Sequence, residues 1–164
     1  MKAVLGKDKK PKKGDVVQFG IYDDQPIKWH VLETDARSHK ALLIADSYCG
    51  KAEVSMRAEY LKCFRKECFS PDEQKLIEKI EFITRELINK YLTTREKRVF
   101  YPYGKDKEPV KYLYEENGEC FLVGTRGGIP NEAESRYTHI RPILLVKYDC
   151  VPAEEDAGEE QKQK

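Results

Sequence analysis

An α+β fold is predicted by two changes of period along the chain. Short apolar runs and alternating stretches fill residues 15–46, three- and four-residue steps take over from Val54 to about Leu92, and short runs bounded by Gly, Asn and Pro return beyond Thr93. Strands first, helices next and strands again is the order these periods imply.

Gly14-Asp15 ends a lysine-rich arm, and Val16, Val17, Phe19 and Ile21 then lead into a turn at Asp23-Asp24-Gln25-Pro26. Ile27-Lys28-Trp29-His30-Val31-Leu32 alternates as a half-buried strand does. Thr34 to Ser38 makes a polar turn before the apolar Ala41-Leu42-Leu43-Ile44-Ala45. A three-stranded meander over residues 15–46 follows, with Trp29, the single tryptophan, as a core anchor.

Met56, Tyr60, Leu61 and Phe64 recur at helical spacing, so residues 55–66 read as an amphipathic helix with Arg57, Lys62, Arg65 and Lys66 on its outer face. Ser70-Pro71-Asp72-Glu73 is a strong helix start. The serine caps free backbone N–H groups, proline suits the first helical position, and the two acids complement the positive helix end. Leu76, Ile77, Ile80, Ile83, Leu87, Ile88 and Tyr91 continue at three- and four-residue steps, which predicts one helix from Ser70 to about Leu92.

Further strands are expected at Val99-Phe100-Tyr101, Tyr112-Leu113-Tyr114, Cys120-Phe121-Leu122-Val123 and Ile140 to Val146, separated by Gly104, Asn117-Gly118, Gly124, Gly127-Gly128 and Pro130. The last is the most apolar and is expected to lie centrally, with Pro142 at its start or at a bulge.

The 164 residues suffice for one domain that buries ~70% of its unfolded surface. No apolar run reaches the ~20 residues of a membrane span, and the opening Met1 to Lys7 contains no secretory core, so a cytoplasmic protein is expected. The 30 basic and 29 acidic residues argue against a dedicated nucleic-acid binder. The charge is nonetheless uneven. Residues 1–13 read as a flexible arm of net +5, residues 14–150 as a single domain, and residues 151–164 as a disordered acidic tail rich in Glu154, Glu155, Asp156, Glu159 and Glu160. Lys9, Lys10, Lys12 and Lys13 are the residues through which that arm would touch phosphates.

Cys49, Cys63, Cys68, Cys120 and Cys150 contain no CxxC pair. Cys63 and Cys68 diverge by about 140° on a helix, which does not favour a shared ligand sphere. Cys49 or Cys68 as a nucleophile would require one of His30, His39 and His139, none adjacent in sequence. Glu115-Glu116 and the pair Glu132 and Glu134 read as solvated carboxylates on loops. Thr125 to Gly128 offers backbone N–H groups and Arg126 to an anion, although a flexible turn is the simpler reading. The sequence therefore assigns no catalytic residue, metal or cofactor.

Several segments carry a family resemblance. Gly14-Asp15-Val16-Val17-Gln18-Phe19-Gly20-Ile21-Tyr22 is similar to GDxxxFGxY, Pro26 to Leu32 to PIxWxVL, Ser55 to Leu61 to SSLRxWLN and Phe69 to Ile77 to FSxEExxxI, with Ala41 to Ile44 at the third strand. These are motifs of a bacterial and phage family of domains of unknown function, which the chain resembles over residues 14–148. The resemblance implies a C-type-lectin-like fold. The family's WWLRSPG and GVRPAL segments look like Cys120 to Gly128 and His139 to Leu144; both tryptophans are gone, while Arg141-Pro142 is kept. Lectin-like folds that bind sugar hold calcium through acidic and amide oxygens; Pro130-Asn131-Glu132-Ala133-Glu134 supplies such oxygens without a tryptophan-asparagine-aspartate partner segment.

The resulting expectation is a non-enzymatic recognition module that binds a protein partner through the Tyr101–Tyr114 region and the loops from Gly124 to Tyr137. A phage or mobile-element inhibitor of a host complex is one form of it. Tyr101, Tyr103, Lys105, Tyr112, Tyr114, Arg126, Asn131, Arg136 and Tyr137 are its contact residues, because tyrosine beside cations is typical of interfaces. Two alternatives remain: association with nucleic acid through the basic arm and the Tyr/Lys segment, and a lectin-like domain that binds a sugar or small molecule.

Overall fold

The computed structural model describes residues 11–129 and 136–148. In chain order its elements are β1 (Val16–Tyr22), β2 (Gln25–Asp35), β3 (Lys40–Ala45), β4 (Lys51–Glu53), a 3-10 turn (Val54–Met56), α1 (Arg57–Cys68), α2 (Pro71–Leu76), β5 (Ile77–Glu81), β6 (Ile83–Thr84), α3 (Arg85–Tyr91), α4 (Arg95–Arg98), β7 (Tyr112–Glu116), β8 (Glu119–Val123), β9 (Tyr137–His139) and β10 (Ile143–Lys147). The fold is mixed α+β. No described helix is long and apolar enough to cross a membrane. The elements divide between two compact units, with α1 contributing to both and Glu81, the last residue of β5, falling in the second.

In the first unit, the strands form a five-stranded sheet in the order β1-β2-β3-β10-β5. Its antiparallel meander follows from local chemistry. Asp23 and Asp24 both take positive φ, 53° and 62°, and close the two-residue loop between Tyr22 and Gln25 with the twist a hairpin needs. Ile27, Trp29 and Val31 alternate inward along β2, and Trp29 Nε1 donates to Phe19 O at 2.7 Å. Around the indole stand Phe64 and Phe69, each with its ring centroid 6.5 Å away, and Phe69 also meets Phe19 at 5.2 Å. Gly20 lies at a register shift of β1 with φ 80°, where an added Cβ would approach Phe69 Cε1 to 2.5 Å. Pro142 immediately precedes β10, where its missing N–H breaks no bond within the strand; β10 is an interior strand between β3 and the edge strand β5, while the central place expected for it is held by β3.

The helix start at Ser70 forms with its full reciprocal cap. Ser70 Oγ accepts from Glu73 N at 3.1 Å while Glu73 Oε1 accepts from Ser70 N at 2.9 Å. Glu73 Oε2 also accepts from Gly20 N at 3.3 Å, which ties the cap to β1.

The single helix expected from Ser70 to Leu92 does not form. Helix α2 stops after six residues, the chain turns into β5 and β6, and α3 begins afresh at Arg85 on a cap in which Thr84 Oγ1 accepts from Leu87 N at 3.2 Å. Ile77, Ile80 and Ile83 fit a helical period but are β-branched, and the edge of β10 offers backbone partners that a helix would leave unused. The charges agree with the strand. Glu78 meets Lys40 Nζ at 2.8 Å and Lys147 Nζ at 3.3 Å, two lysines that are themselves paired across β3 and β10.

These lysines hold the Glu78 carboxyl below its ordinary value of 4.5, first through the hydrogen bond from Lys40 and then through that from Lys147. A depressed carboxyl stabilises the fold above its unfolded value and loses that contribution as pH falls through the folded value. The Tm advantage of the parent chain over Glu78→Gln is therefore expected to be full at neutral pH and to shrink below about pH 4.5. Thermal melts of the two chains across pH 3–7 check this; a constant difference would contradict it.

In the second unit, the sheet runs β4-β9-β7-β6, and β8 pairs with β7. Strand β7 is antiparallel to β8 and parallel to β6 and β9. Asn117 and Gly118, with φ 53° and 81°, close the β7–β8 hairpin as Asp23 and Asp24 close the first. Ala52, Phe82, Leu113, Leu122 and Ile140 form a core cluster, against which Val54, Tyr60, Leu61 and Cys120 pack. Val99-Phe100-Tyr101 forms no strand and makes one bridge, between Phe100 and Val110.

Candidate functional site

The tyrosines expected at one surface part into two environments. Tyr112 and Tyr114 are buried completely. Tyr112 packs edge-on to Phe100 with centroids 5.3 Å apart, and its hydroxyl donates to Arg98 O at 2.5 Å. Tyr114 stacks on Phe121 at 5.6 Å. Both are core residues and are withdrawn as contact residues: β7 is paired along its length, and its Tyr-Leu-Tyr run is enclosed on both faces. Arg141, from the Arg-Pro segment, is buried with them. Its guanidinium lies 4.6 Å from the Phe100 centroid and 5.3 Å from that of Tyr112, and Nη1 donates to the Tyr112 hydroxyl at 3.2 Å.

Tyr103 and Tyr137 are exposed, at 52% and 53%. Strand β9 carries Tyr137 and His139 on one face, since side chains two residues apart point the same way. Tyr103 reaches that face from the segment between α4 and β7. Its hydroxyl is 3.3 Å from His139 Nε2, with the rings edge to face at 6.1 Å. Strand β4 adds the flanking charges, because Lys51 pairs with His139 and Glu53 with Tyr137. Arg136 binds Glu53 at 3.1 Å and lies over the Tyr137 ring at 5.9 Å. On the opposite face, Ala52 and Thr138 are buried.

Burial and then the Lys51 charge hold the His139 imidazole below its usual 6.5, so it is neutral at pH 7, and its Nε2 shares a hydrogen bond with the Tyr103 hydroxyl. The Tyr103 phenol is held above its usual value by partial burial and then by the influence of Cys49. The site therefore joins Tyr103 and His139 on a patch of two exposed tyrosines edged by Lys51 and Arg136.

The remaining expected contacts lie elsewhere. Lys105 is exposed and Tyr101 half-buried, in turns closed by Gly104 N to Tyr101 O and Lys107 N to Gly104 O, both 3.1 Å. Arg126 is exposed on the turn after β8. That turn closes through Gly127 N to Gly124 O and Gly124 N to Gly128 O, each 2.9 Å, so those N–H groups are not free for an anion. Arg98 Nε fastens it by donating to Gly127 O at 2.7 Å. Asn131 and the rest of residues 130–135 lie outside the described residues, as do Lys9, Lys10, Cys150 and the acidic tail. Lys12 and Lys13 are exposed, and Asp15 N donates to Lys12 O at 2.9 Å.

Glu115 and Glu116 are engaged by Arg57 at 2.8 Å and Arg85 at 3.5 Å. Burial pushes the Cys68 thiol up to about 11, which leaves it unreactive, and Cys63 is exposed. Cys68 borders a cavity of ≈ 240 Å³ with Ile21, Glu67, Phe69, Ser70 and Glu73. The one buried carboxylate there, Glu73, already accepts from Ser70 N and Gly20 N. No cluster of three His, Cys, Asp or Glu side chains among the described residues is arranged to hold a metal ion.

Comparison with known proteins yields no matching family model and no significantly similar curated protein or solved structure.

Proposed function

We propose that the chain is a recognition module that binds a protein partner through the exposed face of β4 and β9 together with Tyr103. The observation that carries this reading is the juxtaposition of Tyr103, His139 and Tyr137 on one accessible face, between Lys51 and Arg136. Tyrosine supplies large rigid contact area at low entropic cost, and cations at the rim orient the partner. The motifs over residues 14–148 make a C-type-lectin-like scaffold the natural form of such a module, and an inhibitor of a host complex one natural role. Burial of Tyr112 and Tyr114 removes two rings from the platform that single-stranded nucleic acid would need, which favours a protein partner over nucleic acid.

The experiment is capture from source-cell lysate on the immobilised parent chain and on Tyr137→Ala, at low and high salt. A stoichiometric protein that survives high salt on the parent and is lost from the variant is the expected result. Nucleic acid released by salt, and retained equally by both chains, would instead point to Lys12, Lys13 and their basic neighbours.

A further inference from the structure

We propose that the partner is held by strand addition: an extended segment pairs with the open edge of β4 and sets an acidic side chain opposite Lys51. The inference rests on the partner reading above and names the mode and the chemistry of that binding.

The alternation of hydrogen bonds along β4 identifies its free backbone groups. Ile140 N donates to Gly50 O at 3.0 Å and Val54 N donates to Arg136 O at 2.9 Å, so both ends of the β4–β9 ladder are hydrogen-bonded pairs. Hydrogen-bonded and non-hydrogen-bonded pairs alternate between antiparallel strands. Ala52 with Thr138 is therefore hydrogen-bonded, whereas Lys51 with His139 and Glu53 with Tyr137 are not, and the N–H and C=O groups of Lys51 and Glu53 turn away from β9. Because β4 ends its sheet, they turn to an open edge. The Glu53 carbonyl is taken up by the 3-10 turn that Glu53 caps. Lys51 N–H, Lys51 C=O and Glu53 N–H have no backbone partner among the described residues.

The same register places the side chains. Lys51 and Glu53 stand on the face of Tyr137 and His139, and a residue added opposite Lys51 projects onto that face as well. Charge selects that residue. Glu53 is engaged by Arg136 at 3.1 Å, while exposed Lys51 makes no ion pair among the described residues. A carboxylate directly across the ladder compensates it, and the neighbouring residues of the added segment lie along the edge beside the exposed Tyr137 ring.

The test uses the full chain and the probe peptide Ac-Val-Thr-Glu-Thr-Val-NH2, with Ac-Val-Thr-Lys-Thr-Val-NH2 as its control. In the free chain, amide hydrogen exchange is expected to be fast at Lys51 and Glu53 and slow at Ala52. Protection of Lys51 and Glu53 equal to that of Ala52 overturns the proposal, and protection that grows with protein concentration gives the edge to a second copy and overturns it too. Followed by amide chemical shifts, the glutamate peptide is expected to perturb Lys51 and Glu53 and to bind at least about fivefold more tightly than the lysine peptide, as expected for exchanging an attractive cross-strand pair for a repulsive one. Lys51→Gln keeps the N–H and is expected to lose about two- to fivefold in affinity. Lys51→Pro, tolerated where an edge N–H faces solvent, is expected to abolish binding with the circular dichroism unchanged. Absence of binding to the parent chain, equal binding of the two peptides, or undiminished binding to Lys51→Pro overturns the proposal. The captured partner separates the two readings. If it is lost from Tyr137→Ala but binds Lys51→Pro as it binds the parent, strand addition fails and the recognition face stands; if it binds both variants as it binds the parent, the face itself fails.

Discussion

Replacing Trp29 with alanine is expected to destabilise the chain by about 3–5 kcal/mol, the range for removing a large aromatic residue from a close-packed core. Two losses add. The indole is wholly buried beside β1 and the Phe64 and Phe69 rings, so its removal leaves a void in the core. The Phe19 carbonyl also loses the donor 2.7 Å away. Trp29→Phe keeps most of the ring volume but not the N–H, and its cost is expected to fall well below that of alanine. Urea denaturation of the three chains orders them parent, phenylalanine, alanine. A cost under about 1 kcal/mol for Trp29→Ala would mean that the first core is not organised around this residue.

Tyr112→Ala is the second large effect, and it separates two accounts of the same residue. As a surface anchor, Tyr112 would lower partner affinity on truncation and leave stability alone. Its environment predicts the reverse order of effects. The ring lies against Phe100 and beneath the Arg141 guanidinium, and its hydroxyl accepts from Arg141 Nη1 while donating to Arg98 O. Alanine there removes one ring from a cation lodged between two and strips a buried guanidinium of an acceptor, for an expected loss of about 3–5 kcal/mol. Tyr112→Phe isolates the hydroxyl, whose hydrogen bonds are expected to contribute about 1–3 kcal/mol. Denaturation midpoints measure both. Stability unchanged in Tyr112→Ala would return the residue to the surface.

The difference between Tyr112 and Tyr103 shows what could be read from the chain. Local features were legible because neighbours in sequence determine them. Asp23-Asp24 and Asn117-Gly118 tolerate positive φ and so mark hairpins, and Ser70 with Glu73 completes a cap within four residues. The alternation of Ile27, Trp29 and Val31 likewise needs no partner to be recognised. The Ile77 to Leu92 stretch was ambiguous. Its apolar spacing satisfies a helix, and what decides for a strand is the vacant edge of β10, contributed by residues more than sixty positions later. Tyr112 and Tyr114 alternate around Leu113 like a strand with one wet face, but both faces of β7 are covered and all three are buried. The site is the most non-local feature. Lys51 to Glu53 is too short a strand to show a period, and Tyr103 and His139, 36 positions apart, meet only in the folded chain. Tyr103, Arg136 and Tyr137 were recognisable as an interfacial composition; their common face with His139 was not.

The central claim rests on that face, and affinity for the captured partner tests it most directly. Titration of the partner against the parent chain, Tyr103→Ala, Tyr137→Ala and Arg126→Ala, each checked for unchanged stability, compares the exposed patch with an exposed arginine on the separate turn after β8. The two tyrosine variants are expected to weaken binding by about 1–3 kcal/mol each, roughly 5- to 150-fold, with Arg126→Ala close to the parent. Equal affinity in both tyrosine variants, or a loss confined to Arg126→Ala, would contradict the assignment of the β4–β9 face as the recognition surface.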